Sequence, residues 1–188
     1  TNNVEELRQL VAGNRDEIVG IGEIGLDYHW DTSPRDVQQT VFARQIEIAK
    51  SLHMPISVHT RDALEDTYKI LKETDVRDCG GIIHSFNGDV EWMKRFMDLG
   101  MQISFSGVVS FKNAHEVHEA AKACPLDVML VETDAPYLTP TPYRGKQNQP
   151  GYTRYVVEAI AKLRDVAPEE IAAATYANAH RIFKLGAL

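Results

Sequence analysis

Apolar residues recur at Val4, Leu7, Leu10 and Val11, the spacing of one helix face, and Asn14 follows where that helix should stop. The short run Ile18-Val19-Gly20-Ile21-Gly22 then reads as a buried strand. Ser33-Pro34 opens a long helix, since proline is harmless in a first turn whose N–H has no partner. Its expected buried stripe is Val37, Val41, Phe42, Ile46, Ala49 and Leu52. The alternation continues with strand Pro55-Ile56-Ser57-Val58, a helix from Ala63 to Leu71, and strand Gly81-Ile82-Ile83. Val90, Met93, Phe96 and Met97 form the next helix face, which Gly100 terminates. Met101-Gln102-Ile103-Ser104-Phe105 predicts a fourth strand, Val117, Ala120, Ala121 and Cys124 its covering helix, and Val128-Met129-Leu130-Val131 a fifth strand. Two terminal helices follow, Tyr152 to Leu163 and Pro168 to Phe183, the second with a break expected near Asn178.

Strict alternation of short apolar strands with helices predicts a parallel sheet covered by helices. A doubly wound sheet and a barrel both satisfy it. No GxGxxG or P-loop pattern follows any strand, which weakens nucleotide and dinucleotide readings. The segment from Thr133 to Gly151 is rich in Pro, Gly and Asn, and an irregular stretch of that length inside a compact domain is usually functional.

Composition narrows the class rather than the function. At 188 residues, 44% hydrophobic and 25% charged, residues 1–188 read as a single globular domain. No apolar run approaches the roughly 18 residues of a membrane span, and the N-terminus has no signal-peptide pattern. Cys79 and Cys124 make no CxxC pair and no disulfide framework, so a cytoplasmic location is expected. The net charge of −7 argues against a protein that coats nucleic acid through a broad basic face. It leaves room for a nuclease, because bound cations dominate the field inside a small cleft.

The chemistry lies where the strands end. The first is expected to close in Glu23, the second in His59, the third in His84 and the fifth in Asp134; the fourth ends in Ser104-Phe105-Ser106-Gly107. In a parallel barrel the carboxyl ends of all strands meet on one face, where active sites sit. Taken singly, Glu23 reads as a structural ion pair, either histidine as a hydrogen-bonded core residue, and Asp134 as a turn residue. Accidents of that kind should scatter along the chain, not gather at one end of several strands. Imidazole and carboxylate donors suit zinc, manganese or iron, and the oxygens tolerate magnesium.

The stretches Gly22-Glu23-Ile24-Gly25-Leu26-Asp27-Tyr28, Pro55-Ile56-Ser57-Val58-His59, Ile82-Ile83-His84-Ser85-Phe86-Asn87-Gly88 and Val131-Glu132-Thr133-Asp134-Ala135-Pro136-Tyr137-Leu138 resemble signatures of the TatD-type deoxyribonucleases. Arg144-Gly145-Lys146-Gln147-Asn148-Gln149-Pro150 is similar to the family's late loop, where Glu is common at the position of Gln149. The resemblance runs essentially end to end. It implies a (β/α)8 TIM-type barrel of the amidohydrolase-like group with one to three divalent metal ions, Mg, Mn or Zn. It also implies that Glu23 bridges two metals, His59 and His84 bind the second, and Asp134 binds the first and serves as general base. The family's first-strand His-x-His pair does not occur here. A complete barrel takes roughly 250 residues, so a chain lacking about its first three βα units is expected. Its outer strands would then be open edges that recruit other chains.

The function so implied is divalent-metal-dependent phosphodiester hydrolysis, trimming single-stranded DNA from a 3′ end. Arg61, Arg144, Lys146 and Arg154 are candidates to hold phosphates, against a plain reading as solvated surface charge. Tyr28, His29, Trp30 and Tyr137 are candidates for stacking on unpaired bases, or alternatively hydrophobic lids. Asp27 is expected to support a ligand rather than be one. His53, on a helix-to-strand turn, should bind nothing; His115 and His118 read as exposed, and His180 as a favourable charge at a helix end. Two other readings stay open: a different hydrolysis on the same scaffold, of an aminoacyl-tRNA ester or a cyclic amide, and an inactive fragment with a binding role. Oligomeric state is not legible.

Overall fold

The computed structural model describes residues 2–186. Its helices and strands alternate: α1 (Asn2–Gly13), β1 (Ile21–Asp27), α2 (Arg35–Leu52), β2 (Ile56–Arg61), α3 (Leu64–Glu73), β3 (Gly81–Ile83), α4 (Val90–Asp98), β4 (Met101–Phe105), α5 (His115–Ala123), β5 (Met129–Val131), α6 (Thr153–Arg164) and α7 (Pro168–Phe183). The five strands form one sheet, every neighbouring pair is parallel, and spatial order follows chain order. That order separates the two architectures left open by alternation. A doubly wound sheet reverses at a switch point, whereas a barrel winds one way throughout. This sheet winds one way, and crossovers of a single hand, the rule for parallel strands, place the helices of such a sheet on one side. No helix among the described residues is long and apolar enough to cross a membrane.

β3 and β4 are buried at every position, which is why they read as apolar runs without polar alternation. Ile56, Val58, Ile83, Ile103 and Met129 are fully inaccessible and join the helices in one hydrophobic cluster. Burial at roughly 25 cal/mol per Å² of apolar surface makes each such side chain worth about 1.5–3 kcal/mol. Both cysteines are free, and burial pushes the Cys79 thiol up to about 11 and the Cys124 thiol to about 12, so neither supplies a thiolate at neutral pH.

Three sequence expectations fail for identifiable reasons. The first strand does not run from Ile18 to Gly22; β1 begins at Ile21 and continues to Asp27. Its pairing with β2 goes from Ile21 opposite Ile56 to Ile24 opposite Val58, so one extra residue is inserted. The insertion breaks the period of two, burying Ile21, Ile24 and Leu26 and exposing Gly22 and Glu23. The expected stripe of α2 is also wrong at one end. Val37 and Val41 are 46% and 36% exposed, and the buried face is Phe42, Ile46, Ile48 and Ala49. α1 covers the carboxyl half of that flank, with Arg8 donating to the Ser51 hydroxyl at 3.0 Å, but leaves Val37 and Val41 open. Finally, α7 is unbroken at Asn178. The Asn178 amide is buried and donates to the carbonyl oxygens of Leu126 and Met129, each at 2.7 Å, so it ties α7 to β5 instead of competing with its own helix.

Candidate metal centre

The inserted residue in β1 determines how the first candidate ligand is presented. Glu23 lies inside the strand beside the irregularity, not beyond its end. Two residues on, Gly25 pairs with His59 at φ 144, and a Cβ there would stand 2.0 Å from the His59 carbonyl oxygen. Only glycine lets β1 approach β2 at this level. His59 likewise sits within β2, which continues through Arg61. His84 follows β3 directly, and Asp134 is the third residue past β5. The expectation that all four residues close their strands therefore holds for His84 and needs correction for Glu23 and His59, whose strands are longer than their apolar runs.

Glu23, His59 and His84 offer ligand atoms that all lie within 4.8 Å of one another. Glu23 Oε1 is 2.6 Å from His59 Nδ1 and 3.5 Å from His84 Nε2. Asp134 borders the group, its Oδ1 3.7 Å from His84 Nε2. The outer nitrogen of each imidazole meets a further carboxylate. His59 Nε2 donates to Asp27 Oδ2 at 3.0 Å, and His84 Nδ1 lies 2.6 Å from Glu132 Oε1. Glu132 is in turn held by the Ser104 hydroxyl, which donates to Oε2 at 2.5 Å.

Glu132 is the functional candidate that the sequence reading passed over. Its signal was present: a carboxylate directly after an apolar strand, beside a fourth strand that ends in hydroxyls and carries no ligand. Asn148 was missed too. Its buried amide donates to the carbonyls of Thr133 (2.8 Å) and Tyr137 (2.6 Å), folding the long loop around Asp134.

The electrostatics fit a cation. Four carboxylates, Glu23, Asp27, Glu132 and Asp134, surround two imidazoles, so the cluster stays net negative even with both rings protonated. The His59 imidazole holds the Glu23 carboxyl below its usual range. Glu23 first, then Asp27, raise His59 against the opposing effect of burial. For His84 burial acts downward, but Glu132, Glu23 and Asp134 outweigh it and raise the group. Burial raises Asp134, with the carboxylates of Glu132 and Glu23 adding to it and His84 opposing. An imidazole that gives its one N–H to a carboxylate turns a lone pair towards the centre, and such lone pairs beside carboxylate oxygens call for a shared positive charge. Two imidazoles and a carboxylate form a donor set for a borderline divalent ion such as zinc or manganese.

His59, His84 and Asp134 open into a cleft of about 730 Å³, which Trp30, Arg61 and Tyr137 also line. The other expected substrate contacts lie elsewhere. Tyr28 is only 9% exposed, donates its hydroxyl to Asp66 at 2.7 Å and lies under the Arg35 guanidinium, so it is a packing residue. Arg144 rests 3.6 Å from the Phe111 ring, on a separate cavity. Lys146 lies near the Tyr143 ring, and Arg154 pairs with Glu158 at 3.5 Å. Arg144 and Lys146 lie on the long loop between β5 and α6, and loop residues cannot be assigned to a cleft before the loop's path is known. His53 is an exposed left-handed cap of α2, away from the cluster.

The family model described as TatD related DNase matches residues 1–184. The chain belongs to the TatD family. Two relatives, both named as uncharacterized metal-dependent hydrolases, are similar over most of it. YabD of Bacillus subtilis is 49% identical over 170 residues, covering 90% of the chain and 67% of YabD. YcfH of Escherichia coli K12 is 48% identical over 185 residues, covering 98% of the chain and 69% of YcfH. Among solved structures, the TatD homolog YJJV of Escherichia coli K12 superposes with a TM-score of 0.91 at 29% identity, covering 97% of this chain and 70% of that one. The chain is thus a metal-dependent hydrolase of the TatD family, with a TIM-barrel-like parallel α/β fold.

Proposed function

We propose that this TatD-family chain hydrolyses phosphodiesters and trims single-stranded DNA from a 3′ end. The observation that carries the reading is the approach of Glu23, His59 and His84 to within 4.8 Å, with Asp134 beside them at the mouth of a cleft. The family match supports DNA as the substrate. In this proposal His59, His84 and Glu23 hold one divalent ion, and Glu23 and Asp134 contribute to a second; Mg, Mn and Zn all suit the donors. When bound, such ions lower the pKa of water and offset charge on phosphoryl oxygens.

The protein's own groups have distinct tasks. Asp134 accepts the proton of the attacking water on its carboxylate. Asp27 and Glu132 fix the two imidazole rings from behind. Arg61 offers its guanidinium to a phosphate in the cleft. The five strands are proposed as a consecutive arc of an eight-stranded barrel and residues 1–188 as one domain, readings supported by the one-way winding of the sheet and the single core cluster.

The test is a 5′-labelled single strand incubated with the chain and manganese or magnesium, with and without chelator. A ladder shortening from the 3′ end that disappears on chelation is the expected result. An intact strand, with turnover of aminoacyl esters or cyclic amides instead, would replace the phosphodiester reading.

A further inference from the structure

The cleft beside the metal-type cluster has two exposed aromatic side chains. Trp30, on the loop after β1, is 67% exposed, and Tyr137, on the loop after β5, is 71% exposed. Both line the cavity that His59, His84 and Asp134 enter. Large aromatics cost free energy when left in water, and neither ring packs into the core. Yet both are held from behind. The backbone amides of His29 and Trp30 donate to Asp27 Oδ1 at 3.0 Å each, and the Tyr137 carbonyl accepts from the buried Asn148 amide. Asp27 also supports His59, and Asn148 also holds the Thr133 carbonyl next to Asp134. The anchors that aim the cluster therefore also position the aromatics. The Arg61 guanidinium lies 5.8 Å from the Trp30 ring, a cation beside a stacking face.

We propose that Trp30 and Tyr137 are the specificity-determining base contacts of this cleft, stacking on the unpaired nucleobase next to the scissile phosphate, with Arg61 on that phosphate. The proposal rests on the phosphodiester reading above and adds the feature the protein recognises. Flat, sequence-tolerant aromatic faces accept any base. A base inside a duplex already has both faces stacked and its edge paired, so recognition of this kind selects single-stranded ends. The same geometry withdraws Tyr28 from the stacking set, since its ring is buried beneath Arg35.

The test uses the metal-loaded chain and two single strands with phosphorothioate linkages at the 3′ end, one with normal terminal nucleotides and one whose last two nucleotides are abasic. Affinity is followed by anisotropy and by tryptophan fluorescence. Trp92, the only other tryptophan in the sequence, packs against Phe96 and under Arg95 on α4 and serves as the unresponsive reference. The base-bearing strand should bind about tenfold tighter than the abasic one and quench Trp30. Trp30→Leu and Tyr137→Leu should each bring the base-bearing strand towards the abasic affinity, leaving the abasic affinity and the metal content unchanged. Trp30→Phe should recover most of the preference. Equal affinity of the unaltered chain for both strands, or equal weakening of both by Trp30→Leu, overturns the base contacts but leaves phosphodiester hydrolysis standing. Failure to bind either strand, together with no cleavage of the unmodified 5′-labelled strand, overturns both.

Discussion

Glu132 faces Nδ1 of His84 across 2.6 Å and so leaves Nε2 as the nitrogen that looks towards Glu23 and Asp134. A carboxylate behind an imidazole fixes ring orientation and tautomer and makes the far nitrogen a better donor to a cation. Because Ser104 clamps the other oxygen of Glu132, the pair is anchored to β4. Glu132→Gln should therefore weaken metal binding by about 10–100-fold while the thermal midpoint of the metal-free chain changes little. Calorimetric titration with manganese or zinc measures it; unchanged affinity would reduce Glu132 to a structural ion pair.

His84 and His53 form a matched test of the cluster. His84 is 14% exposed and meets three carboxylates, whereas His53 is an exposed helix cap. His84→Ala should lower the metal content of the purified protein and nearly abolish hydrolysis. His53→Ala should leave both alone. Metal analysis of the two variants decides it, and equal loss in both would sink the ligand assignment.

Asp134 separates binding from turnover. Asp134→Asn keeps an oxygen that coordinates weakly but cannot take a proton from water, so cleavage should fall by about 10²–10⁴-fold with single-strand affinity within a few-fold. Turnover that survived within a few-fold would remove Asp134 from the role of base.

The buried Asn178 amide supports two backbone carbonyls at the base of β5. Replacing it with alanine leaves both acceptors without their partner, at about 1–3 kcal/mol for each group left unsatisfied. Asn178→Ala should destabilise the chain by about 2–6 kcal/mol in urea unfolding, with metal affinity preserved. A loss below about 0.5 kcal/mol would mean that water replaces the amide.

Element types and order were legible in the chain because they rest on local periodicity. Runs such as Ile82-Ile83 and the face Met93, Phe96 have the spacing of the structures they form. The candidate ligand residues were legible for a similar reason: a polar, metal-competent side chain beside a buried strand interrupts an apolar pattern. What the sequence could not determine depends on contacts between distant segments. One-way winding arises from which strand pairs with which, the exposure of Val37 from how far α1 reaches along α2, and the presentation of Glu23 from one extra residue in β1 measured against β2. The roles of Glu132, Asn148 and Asn178 belong to the same class, since a buried polar group takes its meaning from its partner across the fold. So does the division of the aromatics, Tyr28 into the interior and Trp30 and Tyr137 to the cleft wall, because burial is decided by the neighbours that tertiary packing supplies.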